Sequence, residues 1–173
     1  RLDPHERLRH ILRSLSQWHE RWAFCGASAA VMHGLDCSYR QLHPIHVAVG
    51  RNSRPRNQRY VRFHVLDDAE TVAVDGARVT SILRTLVDCA AMMPRRYAMA
   101  PIDSALRQGK TTVEQMLEYV DAIPMLRDRE RIRAVLAQGD GRVENGGESE
   151  CRAVLDELGF PVHRVQVEFP CLS

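Results

Sequence analysis

The sequence predicts an α+β fold: a small mixed or antiparallel sheet packed with helices, a helical subregion behind it, and a terminal helix–strand unit. Three observations carry this. Short runs rich in β-branched and aromatic residues, WAFC, HPIHVAVG, YVRFHVL and ETVAVDGARVT, are confined to the first half. From Ser81 to Gln138 the apolar residues recur at helical spacing and each run is closed by Gly or Pro. The last residues change from a helical pattern to a strand-like alternation. A chain of 173 residues, 45% apolar and 27% charged, has the composition of a globular protein with one good core, or a domain and a fragment.

The elements follow in order. Residues 4–21 read as a helix: Asp3 is placed to cap it, Pro4 fits its first position, and Leu8, Ile11, Leu12, Leu15 and Trp18 make one apolar stripe. WAFC is a strand, and GASAAVMHGL is a short helix opened by Gly26 and closed near Gly34. HPIHVAVG is the next strand. RNSRPRNQR, with Asn, Ser and Pro clustered, reads as a basic loop or hairpin tip. YVRFHVL puts Val61, Phe63 and Val65 on one strand face, and Asp75-Gly76 is a strong hairpin turn inside ETVAVDGARVT.

Thr80 or Ser81 caps a helix carrying Ile82, Leu83, Leu86, Val87 and Ala90, which ends before Pro94. Three more helices follow, stopping at Gly109, Pro124 and Gly139, the second capped by Thr112. Their short connections favour antiparallel packing. GDGRVENGG is the linker. The organisation expected is therefore an α+β domain with its helical subregion at 1–138, a linker at 139–147, and a helix–strand start of a further domain at 148–173. In that last unit Cys151, Val154, Leu155 and Leu158 fall at i, i+3, i+4 and i+7 as a buried stripe; Gly159 closes the helix, Pro161 blocks it, and Val165, Val167 and Phe169 alternate along a strand.

Charge is divided along the chain. Residues 1–66 hold 11 Arg against 4 acids, whereas residues 67–173 hold 13 basic residues against 18 acids. A basic amino-terminal part points toward nucleic acid or an acidic partner. No apolar run is long enough for a bilayer, and the opening residues RLDPHERLRH are charged, unlike a signal peptide. Five cysteines without CxxC spacing fit a reduced, cytoplasmic setting. Cys25, His33, Cys37, His43 and His46 lie close together but match no common zinc module, so no metal site is expected. The first residue is Arg1, which is the start expected of a trimmed product.

Three stretches together, CGASAAVMHGL, ARVTSILRTLVDCAAM and GGESECRAVLDELGFPVHRVQVEF, resemble actinobacterial AbiEi-like proteins in order and separation. These are relatives of the antitoxin of the type IV abortive-infection toxin–antitoxin system. The resemblance covers about residues 20–170. It implies a non-catalytic, antitoxin-like or regulatory domain of a bacterial defence module, with a cognate toxin protein and duplex DNA as expected partners and no membrane. Family members usually begin with a winged-helix module, which nothing here reads as, and many end in a domain resembling very-short-patch-repair endonucleases of the PD-(D/E)XK class. That class offers a Glu near the start of its first helix, then strand carboxylates that hold Mg²⁺. Glu148 matches the first acid and Arg152 the basic residue one turn on. The alternative reading is thus a truncated PD-(D/E)XK endonuclease-like protein with an incomplete metal site, in which Glu148 would be catalytic. Mg²⁺ belongs to that alternative alone; otherwise no cofactor is expected. The plain role of Glu148 is an acid favoured by the helix N-terminus.

FCGASAAVMHGL followed by HPIHVAVG also resembles nucleotidyltransferases, which meet phosphates at a glycine turn and bind metals with strand carboxylates. Here the strand offers His43, Ile45, His46 and Ala48 and no carboxylate, so a nucleotidyltransferase-like remnant is expected without the chemistry. Arg84 and Asp88, spaced i,i+4 in the family's R-T-L-x-D pattern, read as an ion pair on the helix's polar side that fixes it on its neighbours. The binding candidates are Arg51, Arg54, Arg56, Arg59 and Arg62, because guanidinium pairs with phosphate in a bidentate fork; the interleaved Tyr60 could stack on a base. The plain alternative for that run is a solvated loop tip.

Overall fold

The structure is a computed structural model that describes residues 2–53, 55–66 and 69–160. It is α+β, as expected. Helix α1 (Pro4–Trp18) opens with the Asp3 side chain accepting the His5 N–H at 2.9 Å. Strand β1 (Ala23–Phe24), helix α2 (Gly26–Met32), strands β2 (Ile45–Val49), β3 (Val61–Val65), β4 (Thr71–Val74) and β5 (Ala77–Thr80), and helices α3 (Ile82–Met92), α4 (Arg95–Arg107), α5 (Val113–Ala122), α6 (Arg129–Leu136) and α7 (Gly146–Glu157) follow.

The sheet order is β3-β2-β1-β5-β4 and the sheet is mixed: β2 with β3 and β1 with β5 are parallel, β1 with β2 and β4 with β5 antiparallel. Phe24 stands opposite Val47 on one side and Val79 on the other. All three are fully buried and join one core with Leu8 and Leu12 of α1, α2 and the inner faces of α3 to α6. By alternation the opposite sheet face carries Ala23, His46, Ala48, Arg62, His64 and Arg78. The β4–β5 turn has both Asp75 (φ 48) and Gly76 (φ 78) left-handed, which is why an Asp-Gly pair sits there.

Four local expectations are corrected. The basic segment 50–60 is not a hairpin tip: β2 and β3 run parallel, so it is a crossover that must return the chain to the sheet's other end. Trp18 does not join the α1 stripe; it is 83% exposed, because the helix ends there and not at residue 21. Helix α4 starts at Arg95, before the YAMAPIDSALRQG run that marked it in sequence. On α7, Cys151 and Leu158 are exposed, whereas Ser149 and Ala153 are buried. The small residues face inward because α7 lies closely on α4, where arginines bridge the two helices. Val165, Val167 and Phe169 lie outside the described residues.

Three bonds make these bridges. Arg95 of α4 bonds the Ala153 carbonyl at 3.0 Å and pairs with Asp156. Arg152 of α7 donates to Asp103 Oδ2 of α4 at 2.7 Å and to the Gln138 carbonyl at 3.1 Å. Asp103 Oδ1 accepts the Asp140 N–H at 2.7 Å.

Candidate functional site

The crossover begins with a tight turn in which the Ser53 N–H donates to the Gly50 carbonyl at 2.9 Å. It then folds back on β3, the outer strand of the sheet. The Gln58 N–H donates to the Val61 carbonyl, and the Phe63 N–H donates to Asn57 Oδ1, each at 2.9 Å. An outer strand leaves backbone groups unpaired, and this loop takes up two of them. Arg51, Arg56 and Arg59 are exposed on the loop, and Arg62 is exposed on β3 opposite His46. Arg54 lies outside the described residues. The Arg59 guanidinium sits 5.2 Å from the exposed Tyr60 ring, a cation–π arrangement that holds the ring at the surface. Arg56, Arg59 and Arg62 thus lie on β3 and its approach, whereas Arg51 sits in the turn just past β2, at the other end of the crossover.

The same loop walls a cavity of about 610 Å³ that sequence reasoning missed. Ala23, Ala48, Trp22, Phe63 and Pro55 line it, with the exposed Arg21 and Arg78 also lining it. His19 stacks on the Trp22 indole at 3.9 Å, and Phe63 meets it edge-on at 5.5 Å. Arg78 donates to the Thr71 hydroxyl at 3.3 Å. Only the sheet register joins these positions, which are scattered in sequence.

The glycine turn and strand resembling a nucleotidyltransferase hold something else. Gly26 is left-handed (φ +51), and a Cβ there would stand 3.2 Å from the Met92 sulfur. The Ser28 hydroxyl accepts the His46 N–H at 2.9 Å, and the Cys25 N–H donates to the His46 carbonyl at 3.1 Å. His46 Nδ1 lies 2.8 Å from His64 Nε2, with ring planes 15° apart and centroids 5.0 Å apart. That separation puts the rings edge to edge, sharing one hydrogen. Burial, then the neighbouring His64 and Arg62, push His46 down to about 4. Burial and Arg62 lower His64 as well. The pair is therefore neutral near pH 7.

The zinc candidates are dispersed. His33 Nε2–H donates to the Thr80 carbonyl at 2.8 Å, and His5 Nε2–H donates to the Cys37 carbonyl at 2.7 Å. Burial raises Cys25 and Cys89 well above the ordinary thiol value and Cys37 to about 12. Among the described residues no three His, Cys, Asp or Glu converge on a possible metal position.

Arg84 and Asp88 do pair, Nε to Oδ1 at 2.9 Å, but inside the protein and not on a polar helix face. Burial outweighs Arg84 and lifts Asp88 to about 6. Its Oδ2 is buried with no hydrogen-bond partner among the described residues.

Glu148 stands half-buried in the first turn of α7. Its N–H donates to Oδ1 of the cap residue Asn145 at 3.0 Å, and its Oε2 accepts the N–H of Glu144, one residue before the cap, at 2.9 Å. Arg152, one turn on, is committed to Asp103.

Residues 22–138, from β1 to the end of α6, match the AbiEi antitoxin C-terminal domain. The chain belongs to that family. In the AbiEi domain the match thus takes in the sheet, the crossover and the helical subregion. Over 146 residues the chain is 30% identical to two uncharacterized proteins of Mycobacterium tuberculosis, one from strain CDC 1551 / Oshkosh and one from strain H37Rv, covering 82% of this chain and 51% of each relative. The chain therefore spans about half the length of the curated relatives it matches. Among the described residues no helix of the AbiEi domain is long and apolar enough to cross a membrane.

Proposed function

We propose that the chain is a non-catalytic, antitoxin-like regulatory domain of a bacterial toxin–antitoxin module, working by binding a cognate toxin protein and contacting duplex DNA. The family match over residues 22–138 carries this reading. The DNA contact is assigned to Arg51, Arg54, Arg56, Arg59 and Arg62, and a reduced cytoplasmic setting suits the buried, protonated thiols of Cys25, Cys37 and Cys89. No cofactor is needed for either contact. Glu148 is assigned to capping α7. Metal-dependent DNA cleavage or nucleotide transfer by the purified protein, lost in Glu148→Ala, would overturn the non-catalytic assignment.

The DNA contact is tested by salt titration. Phosphate contacts position a protein without reading bases, so binding should be weak and indifferent to sequence, at about 10⁻⁴ to 10⁻⁶ M. Arg54→Ala, Arg56→Ala and Arg59→Ala together should flatten the log–log salt slope by about one unit per lost contact. Equal binding and equal slopes for wild type and triple variant refute the assignment, and pull-down with the product of the neighbouring gene tests the toxin contact separately.

A further inference from the structure

We propose that the free edge of β4 pairs with the same edge of a second copy of this chain, antiparallel about a two-fold axis, with Val72 against Val72. The inference stands apart from the DNA and toxin contacts of the proposed function. The sheet has two outer strands, β3 and β4. At β3 the crossover takes up the Val61 carbonyl and the Phe63 N–H, and the exposed Arg62 adds a charge. Strand β4, Thr71–Val74, carries no charged residue, and Val72 is 39% exposed on it. A bare, uncharged outer strand is a template for another strand.

The hairpin decides which backbone groups are free. Asp75 and Gly76 are both left-handed, so the turn is of type I′, and Val74 and Ala77 exchange both backbone bonds across it. Val72 and Val79 repeat the exchange, and the Ser81 N–H donates to the Glu70 carbonyl at 2.9 Å, as the same alternation requires. Thr71 and Ala73 therefore turn their N–H and C=O outward, and no bond to these groups exists among the described residues. Only an extended backbone offers donors and acceptors at that spacing. A second copy does so by symmetry: Thr71 faces Ala73 of the second copy and Ala73 faces its Thr71, each pair exchanging both bonds. Of the antiparallel registers, this one meets both residues within the strand itself, and it centres Val72 on the axis, apolar on apolar. It also sets Glu70 opposite Val74 of the second copy, next to an Asp75 that Arg13 already pairs with, so the acid meets an ion pair and not a bare carboxylate. Four residues a side fall well short of the about 1,200 Å² of a stable interface, so the pairing is reversible.

Sedimentation equilibrium tests the pairing. The mass should rise from one chain toward two with concentration, and Ala73→Pro, which removes an outward N–H and none that β5 uses, should hold it at one with an unchanged circular dichroism spectrum. Cross-linking reads the register. The exposed Cys151, and Cys171, which lies outside the described residues, are first changed to Ser; Cys25, Cys37 and Cys89 are buried. In that background Val72→Cys should give a disulfide-linked dimer with diamide as oxidant, because residues facing each other in a non-hydrogen-bonded pair stand about 4.5 Å apart at Cα, within disulfide reach. Ala73→Cys should not, since its two thiols lie two residues out of step, about 7 Å along the strand. A single-chain mass at every concentration, a folded Ala73→Pro protein that still dimerises, or equal linking of the two cysteine variants overturns the inference. So does protection of the Thr71 and Ala73 amides from hydrogen exchange only when the neighbouring gene's product is present; that result gives the edge to the toxin and leaves the proposed function standing.

Discussion

Removing the Arg152 guanidinium should loosen α7 far more than removing the Glu148 carboxylate. Asp103 is fully enclosed, and its two oxygens are met by the Asp140 N–H and by Arg152, each at 2.7 Å. Arg152→Ala leaves one buried oxygen facing no cation. Breaking one partner out of a buried pair costs about 3–5 kcal/mol, and with the Arg152 side chain 17% exposed the expected loss is about 3 kcal/mol. Glu148→Ala removes the half-buried acceptor of the Glu144 N–H and should cost about 1 kcal/mol. The Arg152→Ala deficit should also depend on pH. Burial already raises Asp103 above its ordinary 3.8, with Arg152 opposing it. Without Arg152 the folded value rises further, so the folded state binds the extra proton above pH 3.8 and its stability falls as pH rises through that window. Urea unfolding followed by far-ultraviolet circular dichroism measures both effects. A change for Arg152→Ala within about 0.5 kcal/mol, or a greater loss for Glu148→Ala, would refute the clamp.

Three further outcomes are expected. His46, lowered from 6.5 to about 4, keeps its proton off in the folded state where the unfolded chain binds it, so it makes stability fall as pH drops through that window, by at most about 1.4 kcal/mol per pH unit. Asp88 acts in the opposite sense between 3.8 and about 6, so the His46 share is the difference in pH slope between wild type and His46→Gln, and equal slopes would remove it. Asn57→Ala leaves the Phe63 N–H of the outer strand unmet; a loss of about 1 kcal/mol and association in light scattering beyond that of the wild type should follow, and an unchanged mass with unchanged stability would show the edge needs no cover. Gly26→Ala should lower the melting temperature more than Gly34→Ala: both are left-handed, at a cost of about 1–2 kcal/mol, but only at Gly26 does the new methyl also meet the Met92 sulfur. Equal shifts would mean that Met92 moves freely aside.

What sequence could and could not disclose follows from how local each cause is. The Asp75-Gly76 hairpin and the Thr112 cap of α5 are decided within four residues, and both were legible; the Gln115 half of the capping box was not read. The direction of β3 was not, because Val61, Phe63 and Val65 alternate identically in a parallel or an antiparallel strand, and the Asn, Ser and Pro before them fit a crossover as well as a tip. The face of α7 was misread because apolar content was weighed and closeness was not: Ser149 and Ala153 go inward since arginine bridges hold α4 near. At the candidate site the arginines could be named from sequence. The cavity, the His46–His64 contact and the Asp103–Arg152 bond each join residues from separate elements, and only the folded register supplies such pairs.

A loop slung between parallel strands is also a tether of fixed minimum length. From the end of β2 to the start of β3 the segment 50–60 must recross the strand, about 13 Å at about 3.3 Å per residue, with its far part already fastened to Val61 and Phe63. A hairpin tip can be trimmed without disturbing the strands beneath it. Here each residue removed draws the slack from the same span, and once it is gone β3 must leave the sheet. Lengthening has no such limit, so insertions should be tolerated where deletions are not, and variation among relatives in this arginine segment should run toward longer loops.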